Sequence, residues 1–112
     1  MKKRSGEWIA GVAQRLEQTR KALGFKSQKK FSKVIGVEYH TYNKWATEAN
    51  LPDIFAMVRL KEKFGVTTDW IYSGDHTALP SHIKQKLFDT QPSVLVKNIN
   101  RETIKRLTKD DN

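Results

Sequence analysis

Apolar positions along most of this chain recur at the spacing of helices rather than strands. Trp8, Val12, Leu16, Thr19 and Leu23, joined by Ile9 and Ala13, fall every three or four residues. They predict an amphipathic helix from Glu7 to Leu23 that Gly24 ends. Arg15, Arg20 and Lys21 lie off its apolar stripe. Phe31 and Ile35, four apart, share one face of a short second helix, and the same buried stripe continues into Val37 and, past a turn, Tyr42 and Trp45. Ser27 stands before that second helix as an N-cap whose hydroxyl accepts from a free backbone N–H. Further on, Leu51-Pro52-Asp53 breaks the chain, and Asp53 caps a fourth helix from Ile54 to Phe64, closed by Gly65. Thr67 or Thr68 caps a short fifth helix through Trp70, Ile71 and Tyr72, with Gly74 as its stop. No alternating strand pattern interrupts the series, so the expected fold is all-α.

The stretch from Gln28 to Trp45, QKKFSKVIGVEYHTYNKW, holds what two crossing helices require. Ser32 is small where the second of them must pass closely. Gly36 stands where the chain leaves the first, most simply through a positive φ that glycine adopts freely. From Gly36 to Tyr42 only a short turn is needed, which is the connection of a helix-turn-helix.

With its flanks, RLEQTRKALGF, SQKKFSKVIGV, TYNKW, NLPD and KFGVTTDWIYSGD, this region resembles the DNA-binding domain of the lambda repressor and Cro family of bacterial and phage regulators. The likeness runs from about Val12 to Asp75. It implies a five-helix bundle whose second and third helices are the helix-turn-helix, with dimers reading two half-sites of DNA. On that basis residues 1–75 are expected to form the DNA-binding domain and residues 76–112 a short C-terminal extension.

Within the third helix, if Tyr42 and Trp45 face the core, then Tyr39, His40, Asn43 and Lys44 lie toward the opposite face. In family-like docking the N-terminal members of that set reach base edges. Tyr39 and His40 are the leading base readers and Lys44 the third, able to donate to guanine O6 and N7, while Asn43 suits adenine or a phosphate. Gln28 resembles the family residue that contacts a phosphate beside the positive dipole end of the second helix. Lys29, Thr41, Thr47 and Arg20 are further phosphate candidates. Three positions depart from the family pattern. Ala46 replaces a glutamate that would pair with an arginine of the first helix, which suggests an Arg20 free to reach phosphate. Glu48 stands where a turn glycine is common, and Glu38 where a short capping residue is common.

Charge supports a polyanionic partner. The net charge is +9, but residues 1–44 hold 11 Lys or Arg against 3 Glu, whereas residues 45–80 hold 3 against 5. The excess therefore sits on the side of the helix-turn-helix, where counterion release would favour DNA. Other chemistries find little footing. There is no cysteine, hence no disulfide framework and no thiolate metal site, and His40, His76 and His82 lack metal-binding spacing. No phosphate-cradling loop or nucleophile elbow appears, and no apolar run approaches a membrane span. The expectation is a cytoplasmic protein that is not an enzyme, needs no cofactor, metal or small-molecule ligand, and meets no membrane. About 35 residues beyond the resemblance cannot house a protease or ligand-binding domain.

In that extension, Ser81 is expected to cap a helix with Ile83, Leu87 and Phe88 as its apolar face, interrupted by Gln91-Pro92. Ser93-Val94-Leu95-Val96 is a short apolar run, and Asn100 can cap a last helix through Ile104 and Leu107. Dimerisation is the expected use of these patches, the alternative being a tail folded back on its own domain. Two functions follow: a dimeric transcription regulator, most simply a repressor on a near-palindromic operator, or an antitoxin-like protein that grips a protein partner and autoregulates its operon.

Overall fold

A computed structural model of the chain describes residues 2–90, which form six helices and no strand. They are α1 (Lys2–Ala22), α2 (Gln28–Val34), α3 (Tyr39–Ala46), α4 (Ile54–Phe64), α5 (Thr68–Ser73) and α6 (Ser81–Thr90). Among the described residues, no helix is long and apolar enough to cross a membrane.

Local chemistry sets most of the boundaries. The Ser27 hydroxyl accepts from the Lys30 N–H, the Asp53 carboxylate from Phe55 and the Thr67 hydroxyl from Trp70, so α2, α4 and α5 each begin with an orphan donor satisfied. Gly36 follows α2 at φ +78, and the guanidinium of Arg59 occupies the space a Cβ would take there. Glycine is thus required twice over at this turn, for its backbone and for its missing side chain. Arg59 uses the opening to donate from Nη1 to the Ile35 carbonyl at 3.0 Å, tying α4 to the end of α2.

α1 is the central element, packing against α3, α5 and α6, while α2 packs on α3 and α4 on α5. Val12, Leu16, Phe31, Ile35, Tyr42, Trp45, Met57, Leu60, Val66, Trp70 and Ile71 are buried in one apolar core. α2 and α3 have seven and eight residues, too short to hold alone in water, so their stability comes from this packing.

Three expectations are corrected. α1 starts at Lys2 rather than Glu7; nothing upstream breaks it, since Gly6 is a tolerated helix residue. Trp8, expected on the buried stripe, is half-exposed, because its indole reaches across to donate to the Tyr72 carbonyl at 2.6 Å instead of inserting between helices. Ser81 is the first residue of α6 rather than its cap; the carbonyl of Pro80, which has no N–H of its own to satisfy, accepts from Ile83 and Lys84.

The core also continues past residue 75. Leu79, Ile83 and Leu87 are buried in the same cluster as Val12 and Leu16, and α6 lies on α1. Phe88, expected on that apolar face, is exposed, since it lies about 100° around the helix from Leu87. Through α6 the extension is folded onto its own domain. The expected interruption at Gln91-Pro92, the run Ser93–Val96 and the helix after Asn100 lie outside the described residues.

Candidate nucleic-acid interface

The short third helix has two chemically distinct sides. Tyr42 and Trp45 are buried, and the Tyr42 ring meets Phe31 of α2 edge-on, 5.6 Å between centroids at 88°. On the outward side Tyr39, His40 and Lys44 are exposed, and Asn43 and Thr41 are half-buried. The alternation follows from helical spacing: Tyr42 and Trp45, three apart, face inward, which turns Tyr39's neighbour His40 and then Lys44 outward one turn apart.

The outward side chains are lightly held. Lys29 Nζ lies 5.6 Å from the Tyr39 ring centroid, so a cation on α2 and an aromatic ring on α3 form one surface across the turn. His40 Nδ1 is 3.7 Å from a Glu38 carboxylate oxygen, with both side chains largely in water. Such an exposed pair contributes little to stability. Glu38 precedes α3 as its N-cap but makes no side-chain cap hydrogen bond, as its extra methylene would predict relative to a short capping residue. Lys44 makes no ion pair among the described residues. Thr47, at the C-cap of α3, donates its hydroxyl to the Asn43 carbonyl at 2.7 Å.

Behind this face lies a polar hub that the sequence reading missed. Glu17, on α1, accepts from the Tyr42 hydroxyl at 2.6 Å, from Gln28 Nε2 at 3.0 Å and from Arg20 Nε and Nη2, each at 3.1 Å. One carboxylate thereby ties α1 to both α2 and α3. Partial burial favours the neutral acid, but the hydrogen bonds from Arg20, Tyr42 and Gln28 and the Arg20 charge outweigh it and hold the Glu17 carboxyl below its usual range. Burial and the Glu17 charge act together on Tyr42 and push its phenol far above its ordinary value. The spacing of Glu17 and Arg20, three apart on one helix, could have signalled that pair, but Gln28 and Tyr42 stand 11 and 25 residues from Glu17, beyond any local pattern.

The hub engages two of the residues expected to contact phosphate. Arg20 is buried: besides its fork onto Glu17, Nη1 donates to the Phe25 carbonyl at 2.6 Å. Glu17, three residues away on the same helix, holds the guanidinium, which is therefore not free to reach phosphate. Gln28 is half-buried, its Nε2 committed to Glu17 and its Oε1 3.5 Å from Asn43 Nδ2. Gln28 and Asn43 are thus brought together as a linked pair behind the exposed residues, whereas Tyr39, His40, Lys44 and Lys29 stand in front of them.

No protein-family model, curated protein or solved structure matches the chain. Among the described residues no group of three or more His, Asp or Glu is placed to hold a metal ion.

Proposed function

We propose that the protein is a sequence-specific double-stranded DNA-binding regulator of transcription that inserts α3 into the major groove. The observation that carries this reading is the two-sidedness of α3. Its inner face is fixed in the core by Tyr42 and Trp45, and its outer face offers Tyr39, His40 and Lys44 to solvent, within a segment of strongly positive charge. A rigidly seated helix with exposed donors and acceptors is what base-edge readout needs, and the lysines around it suit phosphate. Tyr39, His40 and Lys44 are assigned to bases, Lys29 and Thr47 to phosphates. Gln28 and Asn43 act as a pair at the border of the two, and Thr41 flanks them. Two copies on a near-palindromic operator, with their α3 helices about one DNA turn apart, would repress by blocking polymerase in the cytoplasm.

Selection of binding sites from random duplex DNA with the purified protein tests the proposal. Enrichment of one sequence is expected; failure to enrich any rejects it. If roughly 6 to 10 phosphates are contacted, affinity falls by about 10³ to 10⁵ between 50 and 200 mM salt. Lys44→Ala is expected to relax preference at particular bases by about 1 to 3 kcal/mol, whereas Lys29→Ala weakens all sequences alike.

A further inference from the structure

Glu38 is the one acidic residue in the stretch from Gln18 to Trp45, which holds seven Lys or Arg. It stands at the N-cap of α3 with an extended backbone, φ −73 and ψ 152, yet its side chain makes no cap hydrogen bond. Among the described residues it forms no ion pair with a lysine or arginine either. Its side chain is 81% exposed, and a carboxylate oxygen lies 3.7 Å from Nδ1 of His40, whose side chain is 67% exposed. The carboxylate thus serves neither the cap nor the packing of the fold, while it stands at the leading end of the helix that carries Tyr39, His40 and Lys44 outward.

A negative charge in that place opposes phosphate, so its use on a DNA-reading surface must lie with the base edges. An ionised carboxylate only accepts hydrogen bonds. In the major groove guanine turns two acceptors outward, thymine one beside its methyl group, and adenine an acceptor next to its amino donor. Cytosine alone presents a donor, its N4 amino group, with no acceptor of its own beside it. The carboxylate is therefore drawn to cytosine and meets an acceptor on each of the other three bases. His40 complements it, since its ring can offer an N–H to O6 or N7 of the guanine paired with that cytosine. Cytosine N4 and guanine O6 bond each other within the pair, so they are neighbours in the groove, as Glu38 and His40 are neighbours on the protein.

We infer that Glu38 determines sequence specificity: it selects cytosine at one position of the DNA site, and His40 takes the guanine of the same base pair. The inference rests on the DNA-reading proposal and names the base pair that the leading end of α3 requires. Much of the discrimination is rejection, because a wrong base sets an acceptor against a charge that no lysine or arginine among the described residues neutralises. The same charge repels phosphate whatever the sequence, so specificity is gained at some loss of overall affinity.

The test selects binding sites from random duplex DNA with the full chain as wild type, Glu38→Ala, Glu38→Gln and His40→Ala. In the wild-type site one C·G pair is expected to be favoured over the other pairs by about 5- to 150-fold. Glu38→Ala should accept any base pair at that position, and His40→Ala should relax the same position. Glu38→Gln should turn the preference there to adenine, since an amide accepts from N6 and donates to N7. Both Glu38 variants should bind a duplex without the site more tightly than the wild type does, with thermal unfolding unchanged, which a merely structural role would not produce. A wild-type sequence that Glu38→Ala selects unchanged, or relaxes only at a position that is not C·G, overturns this inference and leaves the DNA reading standing. Relaxation by His40→Ala at a different pair overturns the shared base pair. Failure of the wild type to enrich any sequence rejects the DNA reading and this inference with it.

Discussion

Two regions of this small molecule are held together by different forces. Around Trp70, helices α1, α4, α5 and α6 meet through Val12, Leu16, Leu60, Val66, Ile71, Ile83 and Leu87, and the indole N–H finds the Thr19 hydroxyl at 2.8 Å within that apolar setting. Around Glu17, by contrast, α1, α2 and α3 are also tied by three side chains, Arg20, Gln28 and Tyr42, that converge on one carboxylate. Apolar burial supplies free energy but little direction, since the hydrophobic effect is non-directional. Hydrogen bonds to a charge are directional and distance-sensitive. The apolar core that includes Trp70 therefore supplies most of the free energy of the fold, and the Glu17 bonds add direction to the seating of α2 and α3.

Trp70→Ala should cause the largest loss, about 3 to 5 kcal/mol of unfolding free energy. Urea titration would measure it, and, on the proposed function, DNA affinity should fall only in proportion to the unfolded fraction. A small loss would mean that the core collapses around the gap and that the Trp70 region is no more essential to folding than the Glu17 region.

Glu17→Gln comes next, at about 1.5 to 3 kcal/mol, because it leaves Arg20 without its carboxylate and weakens the bonds from Tyr42 and Gln28. Here DNA affinity should fall further than the unfolded fraction explains, under conditions where the variant is fully folded. Equal affinity in the folded variant would show that α3 is aimed by its aromatic packing alone. The same residue shapes the acid limb of stability. Since its carboxyl is held below the usual range in the folded state, its contribution is complete above the ordinary glutamate value and is lost as pH falls through the lower folded one. Wild-type stability should consequently drop more steeply than that of Glu17→Gln below about pH 4.5, with pH-dependent denaturation as the measurement.

Ser27→Ala should have the smallest effect, about 1 kcal/mol, from loss of the α2 cap. Because α2 carries Gln28 into the hub, a hydrogen-exchange comparison should show faster amide exchange at the start of α2 and no change around Trp70.

The contrast also explains what could be read from the chain without coordinates. Ser27, Asp53 and Thr67 cap their helices and Gly36, Gly65 and Gly74 end them in left-handed geometry, as expected, because each effect operates within a few residues. The buried set Phe31, Ile35, Tyr42 and Trp45 follows from periodicity. The polar hub does not. A carboxylate that joins three helices is specified by their packing, and position on the α1 helix alone does not show that Arg20 is buried between Glu17 and the Phe25 carbonyl. Trp8 and Phe88 mislead for a related reason: periodicity tells which face is apolar but not where the partner surface stops.

One residue in the connection from α3 to α4 bears on how this sequence can evolve. Glu48 has φ +69, a left-handed conformation held by a non-glycine residue. Such a backbone costs an L-residue about 1 to 2 kcal/mol, and glycine would remove that strain while giving back about 0.5 to 1 kcal/mol in chain entropy. Every glutamate codon is a single base change from a glycine codon. A modest gain in stability therefore lies one mutation away, in reserve against destabilising substitutions on the α3 surface to which the proposed function assigns base contacts.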